Sequence, residues 1–158
     1  RYAPLDLYAR QDQNTQRREG YAYLVRKGKG KPPVHNESWV CIDGLSHEES
    51  ASILGRVTHF VSYDPYTAFS RFAALAGCVS IVVPDVGVSK AQWYPNPEDR
   101  LGVAYGFDDT EHATSTRHLL LERMRKEQDD VTDHVRRFAQ ETQTYLTNRQ
   151  PYDFFRRS

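Results

Sequence analysis

The stretch Thr58-His-Phe-Val-Ser-Tyr-Asp-Pro-Tyr-Thr67, continued by small residues to Gly77 and then by Val79-Ser-Ile-Val-Val-Pro84, decides the fold. Its two apolar runs have the length and β-branched content of buried strands. Asp64 and Pro65 end the first run. The small-residue stretch after them reads as a helix over 65–76, with Pro65 at its first position, where a missing N–H costs nothing. Gly77 stops it. Strand, helix and strand in this order form a βαβ unit, with parallel strands and a right-handed crossover. The turn over 64–67 then lies beyond the carboxyl end of a sheet. Helix N–H groups converge there on one spot, the place where α/β proteins hold phosphate-bearing ligands.

Towards the amino terminus, residues 1–20 are polar, rich in Gln and Arg, and without a period; they read as a connecting segment with at most a short helical turn. Tyr21-Ala-Tyr-Leu-Val25 is a first strand, running into the basic loop Arg26-Lys-Gly-Lys-Gly-Lys31. Trp39-Val-Cys-Ile42 is a second strand, reached by a link too short for a full crossover helix; one helical turn over 33–37 is the most it holds. Ser46-His-Glu-Glu49 has the capping-box pattern and opens a helix over 47–55.

Towards the carboxyl terminus, a loop over 84–96 carries Ser89, Lys90 and Trp93, and Gly102-Val-Ala-Tyr-Gly-Phe107 is a short strand or turn. Asp108, Asp109 and Thr110 offer caps for a helix to about 128. A last helix over 130–146 has Val131, Val135, Phe138 and Tyr145 near helical spacing, and the aromatic-basic tail Pro151-Tyr-Asp-Phe-Phe-Arg-Arg157 is expected to dock on something. The expected organisation is a connecting segment 1–20, a Rossmann-like domain 21–128, and a C-terminal helix and tail 129–158. The fold class is α/β, a doubly wound and mostly parallel sheet with C-terminal helices.

At 158 residues the chain is long enough for one domain with a real core. Lys plus Arg and Asp plus Glu each total 21, a balance that argues against a broad nucleic-acid surface. No run approaches the roughly 20 apolar residues that span a bilayer. Cys41 and Cys78 lie in apolar runs and read as buried free thiols of a reducing compartment.

Three places carry chemistry. The turn at Asp64-Pro-Tyr-Thr67 is either an ordinary helix cap or a diphosphate seat. The seat would use the N–H groups of Tyr66, Thr67 and Ala68 and the Thr67 hydroxyl, with Asp64 meeting a sugar hydroxyl or holding the turn. The loop Arg26 to Lys31 is either a solvated basic loop or a clamp that neutralises a leaving pyrophosphate through Arg26, Lys27 and Lys31. Its position favours the clamp, because loops after the first and central strands face one another across the crevice of a doubly wound sheet. Asp108 and Asp109 would bind a ribose or metal, or simply cap a helix. The six histidines show no metal spacing, and no Cys-x-x-Cys, Walker loop, Gly-x-Ser-x-Gly or Gly-x-Gly-x-x-Gly occurs. The missing glycine fingerprint also counts against an epimerase-like enzyme.

Tyr21-Ala-Tyr-Leu-Val-Arg-Lys-Gly-Lys, Ile42-Asp-Gly-Leu-Ser-His-Glu-Glu, Phe60-Val-Ser-Tyr-Asp-Pro-Tyr-Thr and Ala73-Ala-Leu-Ala-Gly-Cys-Val-Ser-Ile-Val-Val-Pro resemble bacterial GT-B glycosyltransferases of lipopolysaccharide, capsule or related surface-glycan synthesis. The resemblance continues through Ser89-Lys-Ala-Gln-Trp-Tyr-Pro and Gly102-Val-Ala-Tyr-Gly-Phe-Asp-Asp109, and falls in the carboxy-terminal, donor-binding half of such enzymes. It implies a nucleotide-sugar substrate, a glycan or lipid-linked acceptor, and an amino-terminal GT-B domain as partner. Arg26, with Lys27 or Lys31, would contact the donor diphosphate, as would Tyr66 and Thr67; Asp64 would orient sugar or turn, and Lys90 and Asp108 are weaker candidates. No metal or other cofactor and no nucleic-acid partner is expected. Many retaining members carry two acids eight positions apart; Asp64 occupies the first position and Phe72 the second, so the usual ribose contact is not carried over. A cytoplasmic location at the inner membrane surface, with peripheral attachment, is also implied. The alternative is a non-catalytic α/β module used for assembly.

Overall fold

Strands rich in Val, Ile, Phe and Tyr, with no charged residue inside them, must be covered on both faces. The computed structural model describes residues 4–13 and 17–147. Five strands, β1 (Tyr21–Leu24), β2 (Val40–Cys41), β3 (His59–Ser62), β4 (Val79–Val82) and β5 (Val103–Tyr105), form one parallel sheet in the order β2-β1-β3-β4-β5. In register, Tyr21 lies beside His59 and His59 beside Val79. The chain order reverses between β1 and β3, so the loops after these two strands flank a topological switch point, where doubly wound sheets place ligands.

One face packs against α1 (Leu5–Ala9), α2 (His47–Leu54) and α3 (Ala68–Leu75) around Tyr8, Leu24, Phe60 and Phe72. The short helix α4 (Lys90–Trp93) adds Trp93 against Val82, Val103 and Tyr105. On the other face α5 (Thr110–Thr116) sets Ala113 against Val61, Ile81 and Ala104. The molecule is thus an α/β, Rossmann-like, doubly wound unit. Where the first crossover lacks a helix, aromatic rings cover the sheet: Tyr23 stacks on His35 at 4.0 Å and Tyr21 on Trp39 at 4.3 Å. The Tyr63 hydroxyl pins this coil by accepting the Val34 and His35 amides and bonding His35 Nδ1. Residues 33–37 hold no helical turn; the one present is a 3-10 turn at Arg26–Gly28.

Three boundaries differ from the sequence reading. The segment 1–20 is not a mere connection, because α1 puts Leu5 and Tyr8 into the core and Arg18 donates to the Gln11, Leu54 and Ala76 carbonyls. No helix break occurs over 128–130, where Asp129 and Asp130 are tolerated on an exposed surface; a single helix, α6, runs Leu120–Thr147. The interruption falls earlier, in the 3-10 turn Arg117–Leu119, where the chain turns so that Leu120 enters the core. By its contacts the chain divides into two units, Arg1–Met124 and Arg125–Ser158. The second, in its described part, is helix with Val131, Val135, Phe138 and Tyr145 exposed. The aromatic-basic tail lies outside the described residues. Among those described, no helix is long and apolar enough to cross a membrane.

The two cysteines also part company. Cys41 is exposed on the two-residue edge strand, whereas Cys78 is buried and its Sγ donates to the Leu54 carbonyl. Burial pushes the Cys78 thiol up to about 12, and burial with the nearby Glu48 charge pushes the Tyr8 phenol up as well. A thiol that ionises at about 8.5 when unfolded but stays neutral in the fold contributes stability that is complete below that pH and lost as pH rises towards the folded value. Iodoacetamide is therefore expected to label Cys41 alone in the native protein and both thiols in urea, and urea stability is expected to fall above about pH 9. Native labelling of Cys78 would contradict its placement.

Candidate functional site

The switch point is built by loop 26–31, which follows β1, and by the turn 63–67, which joins β3 to α3. Asp43, at the end of β2, accepts the Val25 amide at 2.8 Å and the Arg26 amide at 3.3 Å through its two carboxylate oxygens. This grip holds Arg26 at φ 41, the only non-glycine residue with positive φ among those described. Such a backbone is strained for a residue with a Cβ and persists only when its surroundings fix it. The Arg26 guanidinium lies 4.7 Å over the Phe69 ring in the first turn of α3. Phe69 is in turn stacked with His47, whose Nδ1 pairs with the Tyr8 hydroxyl at 2.8 Å.

The turn itself corrects the expected helix start. α3 begins at Ala68, with Thr67 as its cap: the Thr67 hydroxyl accepts the Phe69 amide at 3.3 Å. Pro65 stands in the preceding turn. Asp64, largely buried, accepts the Tyr66 amide at 3.1 Å, and Ser62 donates to the Asp64 carbonyl. The Tyr66 amide and the Thr67 hydroxyl, two groups assigned to a phosphate, are therefore engaged within the turn. Asp64 holds the turn. The Tyr66 ring is exposed and meets Tyr94 edge-on at 5.7 Å.

The cations sort by partner. Lys31 Nζ is tied to the Val83 carbonyl at 2.6 Å and to Asp85 at 2.7 Å, bracing the end of β4. Lys90 Nζ pairs with Asp109 at 2.6 Å, and Asp109 also accepts the Tyr105 amide. The neighbouring Asp108 is exposed and receives no hydrogen bond among the described residues. Arg26 and Lys27 are exposed, and no ion pair is formed by either among the described residues. Two of the four lysine and arginine candidates thus serve the scaffold, and two face solvent at the switch point.

Asp43, Phe69 and Asp85 were missed as contributors by the sequence, and Asp109, singled out for a ribose, a metal or a helix cap, instead holds Lys90 and the Tyr105 amide. Asp43 alone had a local signal, since an aspartate closing a strand beside glycine often bonds backbone amides. The cavity beneath the α3 start, lined by Thr67, Ser70, Arg71, Trp93, Tyr94 and Asp99, is about 10 Å³, room for roughly one water. Among the described residues no group of three or more His, Cys, Asp or Glu side chains is arranged to hold a metal ion. Comparison with known proteins gave no match: no family model, no curated protein and no solved structure matches the chain.

Proposed function

We propose that this protein binds the diphosphate of a nucleotide-sugar at the switch point of its sheet and serves as the donor-binding part of a glycosyltransferase of bacterial surface-glycan synthesis. The observation that supports this is Arg26, a cation with no ion pair among the described residues, locked at positive φ by Asp43 and laid over the first ring of α3. An arginine so placed presents a planar fork to a phosphate with little entropy left to lose. Lys27 adds charge, and the α3 start adds a favourable dipole. In the reaction an acceptor hydroxyl displaces the nucleoside diphosphate from the sugar carbon. Arg26 offsets the charge developing on the departing phosphate, and Asp64 keeps the turn in place. The glycan or lipid-linked acceptor and the base that deprotonates it belong to a partner domain of the amino-terminal GT-B type.

Isothermal titration with several nucleoside diphosphates tests this. Millimolar or tighter binding is expected, weakened about tenfold or more by Arg26→Ala, as befits a charge-assisted contact. Arg26→Lys should recover part of the loss. No binding at millimolar ligand together with no effect of Arg26→Ala would remove the proposal. The reading as an assembly module draws on a different feature, the exposed apolar face of α6.

A further inference from the structure

Fixing an exposed side chain costs rotamer entropy, so one that is fixed has contacts that hold it. His47, the first residue of α2, is exposed and yet is held by three rings. It lies parallel to Phe69 with centroids 5.5 Å apart and meets Tyr8 and Phe72 edge-on, both at 5.8 Å. Its Nδ1 pairs with the Tyr8 hydroxyl at 2.8 Å. That bond also decides where the imidazole proton sits. Burial foremost, and then the Glu48 charge, push the Tyr8 phenol up, so the hydroxyl keeps its proton. A buried O–H needs an acceptor, and His47 Nδ1 is the one partner of this hydroxyl among the described residues. The hydroxyl therefore donates to Nδ1, and the neutral ring carries its own proton on Nε2. Nε2 makes no hydrogen bond among the described residues. It is a positioned donor.

The ring that braces His47 also carries Arg26, whose guanidinium stands 4.7 Å from the Phe69 centroid. Asp43, which grips the Val25 and Arg26 amides, opens the short link that leads into α2. Arg26 is near enough to the Tyr8 phenol for its positive charge to oppose the upward shift there. Because β1, β2 and β3 run parallel, the loop after β1 and the starts of α2 and α3 share the carboxyl end of the sheet. Arg26 and His47 meet on Phe69 at that end, one a fixed cation and the other a fixed N–H donor. With the switch point taken as a diphosphate site, we infer that His47 is its second side-chain donor. Arg26 holds one part of the diphosphate, and His47 Nε2–H gives a hydrogen bond to a further phosphate oxygen. Tyr8→Phe frees Nδ1 but leaves Nε2 able to carry the proton, so binding survives it.

A contact role and a packing role rank two substitutions in opposite order. His47→Phe keeps a ring on Phe69 and has no nitrogen. His47→Gln offers an amide N–H near the place of Nε2 and has no ring. The full chain is titrated calorimetrically with uridine, guanosine, cytidine and adenosine diphosphate in turn. Binding is expected to be about tenfold weaker in His47→Phe, the scale of a hydrogen bond to a charged group, and largely recovered in His47→Gln. Both variants are expected to stay folded by circular dichroism, because the side chain is exposed. Should either unfold, the unsubstituted chain answers alone: the His47 Cε1–H resonance must shift on saturation with the same diphosphate. A resonance that stays in place overturns the inference. His47→Phe binding as tightly as the unsubstituted chain, or more tightly than His47→Gln, overturns it too. If Arg26→Ala weakens binding and His47→Phe does not, the diphosphate site stands without His47. Absence of binding to the unsubstituted chain at millimolar ligand removes both.

Discussion

Gly28→Ala is expected to destabilise the protein by about 3 kcal/mol, an overpacking cost at the upper end of its usual range. Gly28 is buried, and a Cβ there would fall on the carbonyl carbon and oxygen and the Cβ of Tyr63. Two of those atoms are backbone, held by the Tyr63 amide's bond to the Leu24 carbonyl, so no rotamer relieves the contact. Either loop 26–31 lifts away or the β3–α3 turn moves. Lifting the loop takes Arg26 off Phe69 and Lys31 off Val83 and Asp85. Nucleoside diphosphate binding should fall with stability, and the melting temperature should drop by roughly 10 °C for a chain of this size. Gly30→Ala is the control. A Cβ at Gly30 meets nothing within 4 Å, so only its φ of 95° opposes the change, at about 1 kcal/mol. Thermal unfolding followed by circular dichroism separates the two; equal, small losses would mean that the loop does not pack on Tyr63.

The same contact shows what a sequence can and cannot carry. Val79–Val82 and His59–Ser62 were legible because strands buried on both faces are continuous apolar runs. The Ser46 cap was legible because both of its bonds lie within four residues. The start of α3 was misplaced because two local devices compete there. Asp64 closes its own turn onto the Tyr66 amide, and this delays the helix until Thr67 can cap it. For the site, the basic loop could be found by composition, but composition does not tell Lys31 from Arg26. That distinction depends on Asp85, more than fifty residues along, and on the Asp43 carboxylate in β2's wake. Lys90 and Asp109 repeat the lesson, since the ion pair forms only after β4 and β5 are side by side.

Tyr8→Ala should cost about 3–5 kcal/mol, the range for deleting a large buried aromatic side chain. The residue lies in a stretch whose polar composition reads as a connector, yet its ring is fully buried. It stacks parallel on Phe72 at 4.7 Å and meets Phe69 edge-on at 6.4 Å, and its hydroxyl bonds His47 Nδ1. A helix of five residues is too short to display a period, so Tyr8 and Leu5 gave no pattern to read. Urea unfolding should show the midpoint lowered with the slope unchanged. Tyr8→Phe keeps the rings in contact and should lose only about 1 kcal/mol for the hydrogen bond. The difference between the two variants isolates the packing. If residues 4–13 merely connected, both would leave the midpoint unmoved. Because Phe69 is also the platform beneath Arg26, Tyr8→Ala should weaken nucleoside diphosphate binding below its own unfolding midpoint, whereas Tyr8→Phe should spare it. That would tie the proposed diphosphate site to a helix on the far side of Phe69, the one part of its scaffold that composition alone would assign to a linker.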